Sequence, residues 1–578
     1  MCGILGGNDF SLNYNSGIRK VEHRGPDGIK VDKYNDFILA FARLSIIDLS
    51  EKAMQPMDSE DKSIHIVFNG EIYGFKNLRQ KLEKEYNFRT TSDTEVILAL
   101  YKKYGTSFID KIDGMFAIAI YDENDRKVRI YRDRAGIKPL YYYFKDGIFI
   151  FASELKSITE VFKDRKLRID ETALYDYVSY GYIPEPKSMY KDIKKLLPAC
   201  FLEFDLCERR IVKIKKYWKL HVNTSVQRRR TLECLTEEFR YLVGKSVREQ
   251  LVADVPVGTF LSGGIDSSII TYESAKIKKD IQTFSIGFEE KNYSEIKWAE
   301  MLINKLDLNA DVRILTRESV KNLYKKFRNW YDEPYADTSA FPSYIVSKIA
   351  TDKVSVVLTG DGGDELFGGY SRYNEFDKNS TNSIFNRENV SKIVKLLLAN
   401  GLISSETWEK DLRSEFDYYA GLMGCKPDCE RELTKKMFNI PKDYDEYWLI
   451  KKYYKPELPK YTRARYLDFK TYLPGDILTK VDRVSMAVSL ETRVPFLSRE
   501  LMEFAFSLSQ EECNTNGNLK QLLKDAYTNV LPDEILYRRK KGFSVPPKYV
   551  PGLTVGLEGV RKKLLEDLWK SEYKEVIA

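Results

Sequence analysis

The stretch FLSGGIDSS, from Phe260 to Ser268, decides the fold of the larger part of the chain. An apolar run leads into a Ser-Gly-Gly turn, and Asp266, Ser267 and Ser268 then offer N-cap chemistry for a helix that begins IITYESAK. Such a turn points backbone N–H groups and the positive end of a helix at one place, which suits a phosphate or pyrophosphate. The pattern predicts an anion-binding turn at the carboxyl edge of a parallel sheet, and a glycine turn without ligand is the alternative.

Apolar runs without alternation flank this turn and predict buried parallel strands in an α/β domain: VPVGTFL, TFSIGF and VSVVLTG. The strand Val354–Leu358 leads into a second glycine-rich turn, TGDGGDELFGGY, from Thr359 to Tyr370. Asp266 and Asp364 are candidates to bind Mg²⁺, which prefers carboxylate and phosphate oxygens. The chain has no GxxxxGK[ST] motif and no GxGxxG after a strand, which argues against a P-loop kinase-type site and a dinucleotide site.

The first 200 residues contain short β-branched and aromatic runs separated by turns. These runs predict antiparallel strands at Ser63–Phe68, Lys127–Tyr131, Leu140–Phe144 and Gly147–Ala152. Periodicity is lost in HVNTSVQRRR and resumes with helical spacing at Leu232. We therefore expect a β-rich layered domain at residues 1–210 and an α/β domain at residues 228–578.

The composition predicts a globular protein, and the stretch MCGILGGNDFSLNY has too early a break at Gly, Asn and Asp for a secretory signal, so we expect a cytoplasmic location. Its 578 residues are 43% hydrophobic and 31% charged, and no apolar run reaches the roughly 18 residues of a membrane helix. The chain has 93 basic and 86 acidic residues, and the resulting net charge of +7 is spread over its whole length, so nucleic acid is not an expected partner. Among the seven cysteines, Cys425 and Cys429 have the spacing of one helical turn and no nearby His, which favours thiols over a metal site.

Cys2 follows only Met1, and a small second residue favours removal of the initiator methionine. The thiol and the α-amine would then belong to one residue. Because the amine titrates near pH 8 and the thiol near about 8.5, the amine can accept the thiol proton without a catalytic histidine. A buried structural cysteine is the alternative interpretation.

The sequence behind Cys2 resembles the glutaminase domain of the N-terminal-nucleophile amidotransferases. Its blocks occur in family order as MCGILGG, HRGPDG (His23–Gly28), RLSIIDLS (Arg43–Ser50), FNGEIYGF (Phe68–Phe75) and SDTE (Ser92–Glu95). The resemblance implies an αββα sandwich of the N-terminal-nucleophile hydrolase type. The chain departs from the family at Gly74, where Asn is usual.

By this resemblance, Arg43 and Asp93 bind the α-carboxylate and the α-amine of glutamine, which fits their charges. Glu71 is expected beside the same amine. Asn69 and Gly70 match the oxyanion hole, in which a side-chain amide and a backbone N–H face the charge that develops on the attacked amide.

The second half resembles the PP-loop enzymes, which cleave ATP to AMP and pyrophosphate, and more narrowly the glutamine-dependent asparagine synthetase family. The blocks are SGGIDS, GDGGDE, DEPYADTSAFPSY (Asp332–Tyr344), YLPGDILTKVDRVSMAVSLETRVPFL (Tyr472–Leu497) and RRKKGFSVPP (Arg538–Pro547). The resemblance implies that the ATP site contains Leu261, Ser262, Gly263, Gly264, Asp266, Ser267, Ile286, Thr359, Gly360 and Asp361. Lys540 is expected to stabilise charge on pyrophosphate or on the tetrahedral intermediate. Lys541 is the alternative if the match of the RRKKGF block to the family is shifted by one residue.

The resemblance covers essentially the whole chain and implies a homodimeric ligase that uses glutamine, ATP and Mg²⁺ to amidate an adenylated carboxylate. Aspartate is the expected acceptor and asparagine the product. Another carboxylate, such as a uronic acid in surface-polysaccharide synthesis, is an alternative, since the chain has Glu491-Thr492-Arg493 and Ser498 where the family often reads EARVPFLD. A catalytically silent scaffold on the same fold is a third.

Overall fold

The computed structural model describes residues 1–379, 415–423, 434–542 and 545–549 and the single positions 561 and 565. The predicted thiols Cys425 and Cys429 lie outside these residues. Within them, no helix is both long enough and apolar enough to cross a bilayer.

Seventeen strands are described, and twelve of them precede residue 217. The strands are β1 (Gly3–Gly7), β2 (Gly28–Lys33), β3 (Ile38–Arg43), β4 (Met57–Asp58), β5 (Ile64–Tyr73), β6 (Asp113–Asp122), β7 (Lys127–Arg132), β8 (Tyr141–Lys145), β9 (Ile148–Ala152), β10 (Ile193–Lys195), β11 (Cys200–Asp205), β12 (Arg210–Lys216), β13 (Val257–Phe260), β14 (Gln282–Phe288), β15 (Asn309–Leu315), β16 (Val356–Leu358) and β17 (Glu491–Arg493).

The described helices lie between and beyond these strands. They are α1 (Tyr14–Arg19), α2 (Phe75–Leu82), α3 (Asp93–Tyr104), α4 (Leu155–Val161), α5 (Glu171–Tyr180), α6 (Leu232–Gln250), α7 (Ile265–Ile277), α8 (Ile296–Leu306), α9 (Arg317–Lys321), α10 (Phe327–Trp330), α11 (Ala340–Ala350), α12 (Gly363–Phe367), α13 (Ser371–Asn379), α14 (Glu415–Leu422), α15 (Trp448–Tyr453), α16 (Lys460–Lys470), α17 (Thr479–Met486), α18 (Arg499–Ser507), α19 (Gln510–Cys513), α20 (Gln521–Tyr527) and α21 (Asp533–Leu536), with a π-helical turn at Leu473–Leu478 before α17.

The first half is an αββα sandwich, as the resemblance implies. One antiparallel sheet has the order β10-β8-β9-β1-β3-β2 and the other the order β12-β11-β7-β6-β5-β4. Apolar side chains from both sheets, including Ile4, Phe41 and Ala117, form the core between them. Helices α1 and α4 pack on the outer face of the first sheet, and α2 and α3 pack on that of the second. Because both faces of each sheet are covered, the central strands are apolar on both sides.

The second half is an α/β domain with a parallel sheet of order β15-β14-β13-β16-β17. Helices α6 and α7 belong to the core on one face and α11 to the core on the other. The predicted parallel strands are confirmed as β13, β14 and β16. This topology brings the loops after β13 and β16 side by side at the carboxyl edge of the sheet, where ligands of open α/β sheets bind.

The predicted N-cap of the helix after the first glycine turn is wrong. Helix α7 begins at Ile265 with Gly264 as N-cap, and no side chain caps it. Gly263 has φ +76°, and a Cβ on it would lie 2.7 Å from the backbone nitrogen of Ala299. The tight turn therefore starts the helix earlier than the Asp-Ser-Ser pattern suggests, and Asp266 lies in its first turn.

Charged side chains fill the interface between the two halves. The guanidinium of Arg24 donates to both carboxylate oxygens of Asp482, at 2.8 and 3.0 Å, and to Glu154 at 2.7 Å. Arg483 bridges Glu154 and Asp332 at 2.7 and 3.0 Å. All five side chains are buried. The two halves are therefore joined by ion pairs that water does not reach.

Candidate active sites

The first candidate site surrounds the thiol of Cys2, which immediately precedes β1 and is buried. The backbone N–H of Cys2 donates to Asn69 Oδ1 at 3.0 Å, and that of Leu44 approaches the thiol at 3.5 Å. Burial raises the pKa of the thiol, while the ammonium group of Met1 and the Leu44 backbone act in the opposite direction. The thiol is thus held between the ends of two neighbouring strands.

Asn69 and Gly70 lie in the middle of β5, facing the start of β1. Asn69 is fully buried, and its side-chain Nδ2 has no hydrogen-bond partner. Leaving a buried N–H without a partner costs about 1–3 kcal/mol, so this amide is available to a ligand or an ordered water. A Cβ on Gly70 would lie 2.0 Å from the Met115 carbonyl oxygen on β6, which only glycine avoids. An unpartnered amide donor therefore lies beside Cys2, and the next residue of the strand packs closely on β6.

The charged side chains expected to bind glutamine lie around the same centre. Arg43, at the end of β3, donates to the carbonyl oxygens of Ser50 (2.7 Å) and Asp48. Asp93, the first residue of α3, accepts from the Ile72 N–H at 3.0 Å, and burial raises its pKa to about 6. The local backbone thus fixes one guanidinium and one carboxylate near Cys2.

Glu71 connects this site to the other half of the chain. Its Oε2 lies 3.1 Å from Nη2 of Arg493, and Arg493 Nε lies 2.7 Å from Glu491 Oε1. The other carboxylate oxygen of Glu491 accepts from the α-nitrogen of Met1 at 2.9 Å. Burial and then the neighbouring Asp93 raise the pKa of Glu71, and Arg493 acts against them. Two residues of β17 therefore complete the surroundings of the thiol site.

The second candidate site is a cavity of about 700 Å³ at the carboxyl edge of the parallel sheet. It is lined by all residues of the expected ATP site except Gly263: Leu261, Ser262, Gly264, Asp266, Ser267, Ile286, Thr359, Gly360 and Asp361. A Cβ on Gly360 would lie 2.7 Å from the backbone nitrogen of Ser267, so the two glycine-rich turns are in contact.

Two lysines and two aspartates form a charged cluster in this cavity. Lys520 Nζ lies 2.5 Å from Asp364 Oδ1 and also contacts Asp266, while Lys540 contacts the other oxygen of Asp364. Although burial acts to raise it, these two lysines lower the pKa of Asp364. Burial and the Asp364 carboxylate raise the pKa of Asp266 against the effect of Lys520. Lys541 also lines the cavity, but its Nζ contacts the Asn292 carbonyl oxygen.

The carboxylates of Asp266 and Asp364 suit a hard cation. Asp266 Oδ1 is buried and has no hydrogen-bond partner. No group of three or more His, Cys, Asp or Glu side chains within the described part of the chain could hold a metal alone. Mg²⁺ commonly takes one or two carboxylates and completes its shell with waters and substrate phosphates, so two aspartates in an anion-binding cavity fit it.

Sequence reasoning missed Lys520, and it connected Glu491 and Arg493 with the acceptor rather than with the thiol site. Lys520 has φ 54° and lies next to no motif, 254 residues from the aspartate that it contacts. Glu491 and Arg493 belong to a three-residue strand, which is too short to show a period. The signal available for them was chemical: two opposite charges flanking Thr492 in an apolar stretch rarely stay buried unless paired.

Comparison with known proteins gives matches to both halves. The sequence model of the asparagine synthase family matches residues 238–574, and that of the glutamine amidotransferase domain matches residues 1–218. Glutamine-hydrolyzing asparagine synthetase 1 of Bacillus subtilis is 36% identical, covering 92% of this chain and 83% of its own length. Asparagine synthetase 3 of the same organism is 28% identical, covering 97% of this chain and 90% of its own length. An amidase, chyE, of Penicillium rubens is 26% identical over 92% and 84%.

Proposed function

Because this chain belongs to the asparagine synthase family and carries a glutamine amidotransferase domain, we propose that it converts aspartate to asparagine with glutamine as nitrogen donor. It is an ATP-dependent carbon–nitrogen ligase of the glutamine-using kind. The observation that carries the proposal is that two sites of different chemistry, a buried thiol and an anion cavity, both adjoin strand β17. We assign them to residues 1–210 and 228–578.

In the thiol site, Cys2 Sγ attacks the amide carbon of glutamine and forms a thioester, and ammonia leaves. Removal of Met1, which stays a prediction, turns the Cys2 nitrogen into the α-amine that takes the thiol proton and returns it to the leaving group. Arg43 binds the α-carboxylate of glutamine, and Asp93 and Glu71 bind its ammonium. Water then releases glutamate from Cys2.

Asn69→Ala is expected to lower kcat of glutamine hydrolysis about a hundredfold, with a smaller change in KM, because the unpartnered Nδ2 donates to the oxyanion only as charge develops. Glutamate release measured against glutamine concentration separates the two parameters.

Gln55→Ala is the matched control. Gln55 also has a buried amide against β5, but both ends of that amide are satisfied: Oε1 accepts from the Phe68 N–H and Nε2 donates to Thr94 Oγ1. It should keep kcat per folded molecule. A kcat of Asn69→Ala equal to that of Gln55→Ala would contradict the assignment of the oxyanion hole.

In the cavity, the acceptor carboxylate attacks the α-phosphorus of ATP, and pyrophosphate leaves. The backbone N–H groups of the two glycine-rich turns bind the phosphates, and Leu261, Ile286 and Gly360 border the adenosine. Ammonia attacks the acyl carbon, and AMP leaves. Lys540 stabilises negative charge on pyrophosphate or on the tetrahedral intermediate.

Asp266 and Asp364 would hold Mg²⁺, which would neutralise charge on the phosphates when bound. The Lys520 ammonium contacts both carboxylates, and the Lys540 ammonium contacts that of Asp364. The two lysines therefore offset the charge of the two aspartates.

Ammonia would cross the interface between the two halves. A cavity of about 20 Å³ lies there, lined by Ile137 and Leu140 from the first half and by Leu478 and Thr479 from the second. That volume holds a molecule of the size of water. In the sequence, Leu478 and Thr479 are flanked by Ile477 and Lys480, which line the large cavity, so the two cavities share one segment of the chain.

The charges of the large cavity favour an amino acid as acceptor. Beside the nucleotide turns, the wall carries the Lys480 ammonium and the Asp337 carboxylate, which lie 3.2 Å apart. Aspartate offers an ammonium and two carboxylates to such a wall, whereas a sugar uronic acid offers no ammonium.

AMP formation with aspartate is expected to exceed that with every other acid in a panel of glutamate, malonate, succinate and glucuronate. The measurement is AMP release at saturating ATP, Mg²⁺ and ammonium chloride, with a no-acceptor blank. Faster AMP release with glucuronate than with aspartate would contradict the proposal and indicate a sugar acid as acceptor. A chain that forms no AMP with any acid and no glutamate from glutamine would instead be a silent scaffold. The homodimer and the cytoplasmic location stay predictions.

A further inference from the structure

Strand β17 is placed between the two sites. It pairs in parallel with β16, with Glu491 opposite Val356 and Arg493 opposite Leu358. Successive side chains of a strand point to opposite faces. Glu491 and Arg493 contact Met1 and Glu71 at the thiol site, while Thr492, between them, lines the nucleotide cavity. Three consecutive residues therefore contact both sites.

The carboxyl end of β17 is bonded to the second glycine-rich turn. The N–H of Thr359, the first residue of that turn, donates to the Arg493 carbonyl oxygen at 2.9 Å. Thr359 Oγ1 in turn donates to Asp361 at 2.7 Å. A nucleotide that orders this turn would also fix the backbone of Arg493.

The guanidinium of Arg493 is held rigidly. It is fully buried, pairs with Glu491 and Glu71, and donates through Nη1 to the carbonyl oxygens of Gln250 and Val252 at 2.8 and 2.6 Å. A planar guanidinium with this many partners cannot reorient on its own. Because Arg493 belongs to β17, a shift of that strand would move the guanidinium relative to Glu71.

We propose that Arg493 is a positioning residue that couples nucleotide binding in the cavity to glutamine binding at the thiol site. The inference rests on the proposed function and adds to it a physical link between the two sites. Arg493 favours the ionised form of Glu71, which without it would share a buried space with Asp93. Only the ionised form binds the ammonium of glutamine well. By reciprocity, glutamine would tighten nucleotide binding by the same factor.

The test uses the Cys2→Ala chain, which binds glutamine without consuming it. Isothermal titration calorimetry gives the Kd of glutamine without nucleotide and with saturating α,β-methylene-ATP and magnesium chloride. We expect the nucleotide to lower this Kd about fivefold or more. Adding Arg493→Lys, which keeps the charge but loses the fork, should bring the ratio of the two Kd values to about one.

The matched control is Arg483→Lys, which alters another buried arginine that forms ion pairs across the same interface but does not touch Glu71. It should keep the ratio. In the Cys2-containing chain, Arg493→Lys should also keep ammonium-dependent AMP formation within about twofold, which general damage to the fold would not allow.

Two results would overturn the coupling and leave the proposed function intact. The nucleotide could leave the Kd of glutamine unchanged in the Cys2→Ala chain, or it could still lower that Kd after Arg493→Lys is added. Loss of ammonium-dependent AMP formation by Arg493→Lys together with a kept ratio would show that Arg493 is only structural. Failure of the Cys2→Ala chain to bind glutamine at all would count against both the coupling and the proposed glutamine site.

Discussion

Cys2→Ala is expected to abolish glutamine-dependent asparagine formation, with a loss of roughly 10⁴-fold or more, and to leave ammonium-dependent formation close to that of the parent chain. The reason is that the Cys2 thiol is the proposed attacking atom of the first site, whereas the proposed synthetase site is a separate cavity that would accept ammonia from either source. The measurement is product formation with glutamine and, separately, with ammonium chloride.

Cys200→Ala is the control for this result. Cys200 is another buried thiol of the same half, at the start of β11, and its charged neighbours are Lys216, Lys452, Arg132 and Glu185, none of which is assigned to glutamine. It should retain both activities. Equal glutamine-dependent activity of Cys2→Ala and Cys200→Ala would remove Cys2 from the mechanism.

Lys540→Ala is expected to lower AMP formation about a thousandfold with glutamine and with ammonium alike, because it removes a cation from the place where charge develops in the cavity. Glutamate release in the absence of ATP should stay within about twofold, since the thiol site is not touched. The two assays together assign the lysine to one half-reaction.

Lys541→Ala separates the two possible registers of the RRKKGF block. In the structure the Lys540 ammonium contacts Asp364, whereas that of Lys541 contacts the Asn292 carbonyl oxygen. We therefore expect Lys541→Ala to keep AMP formation. A larger loss with Lys541→Ala than with Lys540→Ala would shift the assignment by one residue.

The parallel sheet and its two glycine-rich turns could be predicted because their signals are local. The buried strands before Ser262 and Thr359 are mainly apolar runs without alternation, and the turns that follow are marked by glycine. The helix start was mispredicted because Asp266 and Ser267 have the chemistry of caps, although the backbone turn at Gly263 had already begun the helix.

The partners of the site residues could not be predicted, because folding brings them from far along the chain. Lys520 reaches Asp266 across 254 residues, and Arg493 reaches Glu71 across 422. Neither pair has a spacing that a sequence pattern could reveal. The roles given to Asn69 and Arg43 came from a family resemblance, since an isolated asparagine or arginine has no distinctive chemistry.

The buried ion pairs between the two halves also constrain how such a chain can be recombined. Arg24 in the first half has its two counter-charges in different halves, Glu154 in its own and Asp482 in the other. If this glutaminase half were fused to a foreign synthetase half without the acidic residue, the buried Arg24 guanidinium would lose one of its two partners. The loss would cost about 3–5 kcal/mol of folding free energy. We therefore expect an exchange of halves to succeed only where Arg24 and an acidic residue at the position of Asp482 are kept together.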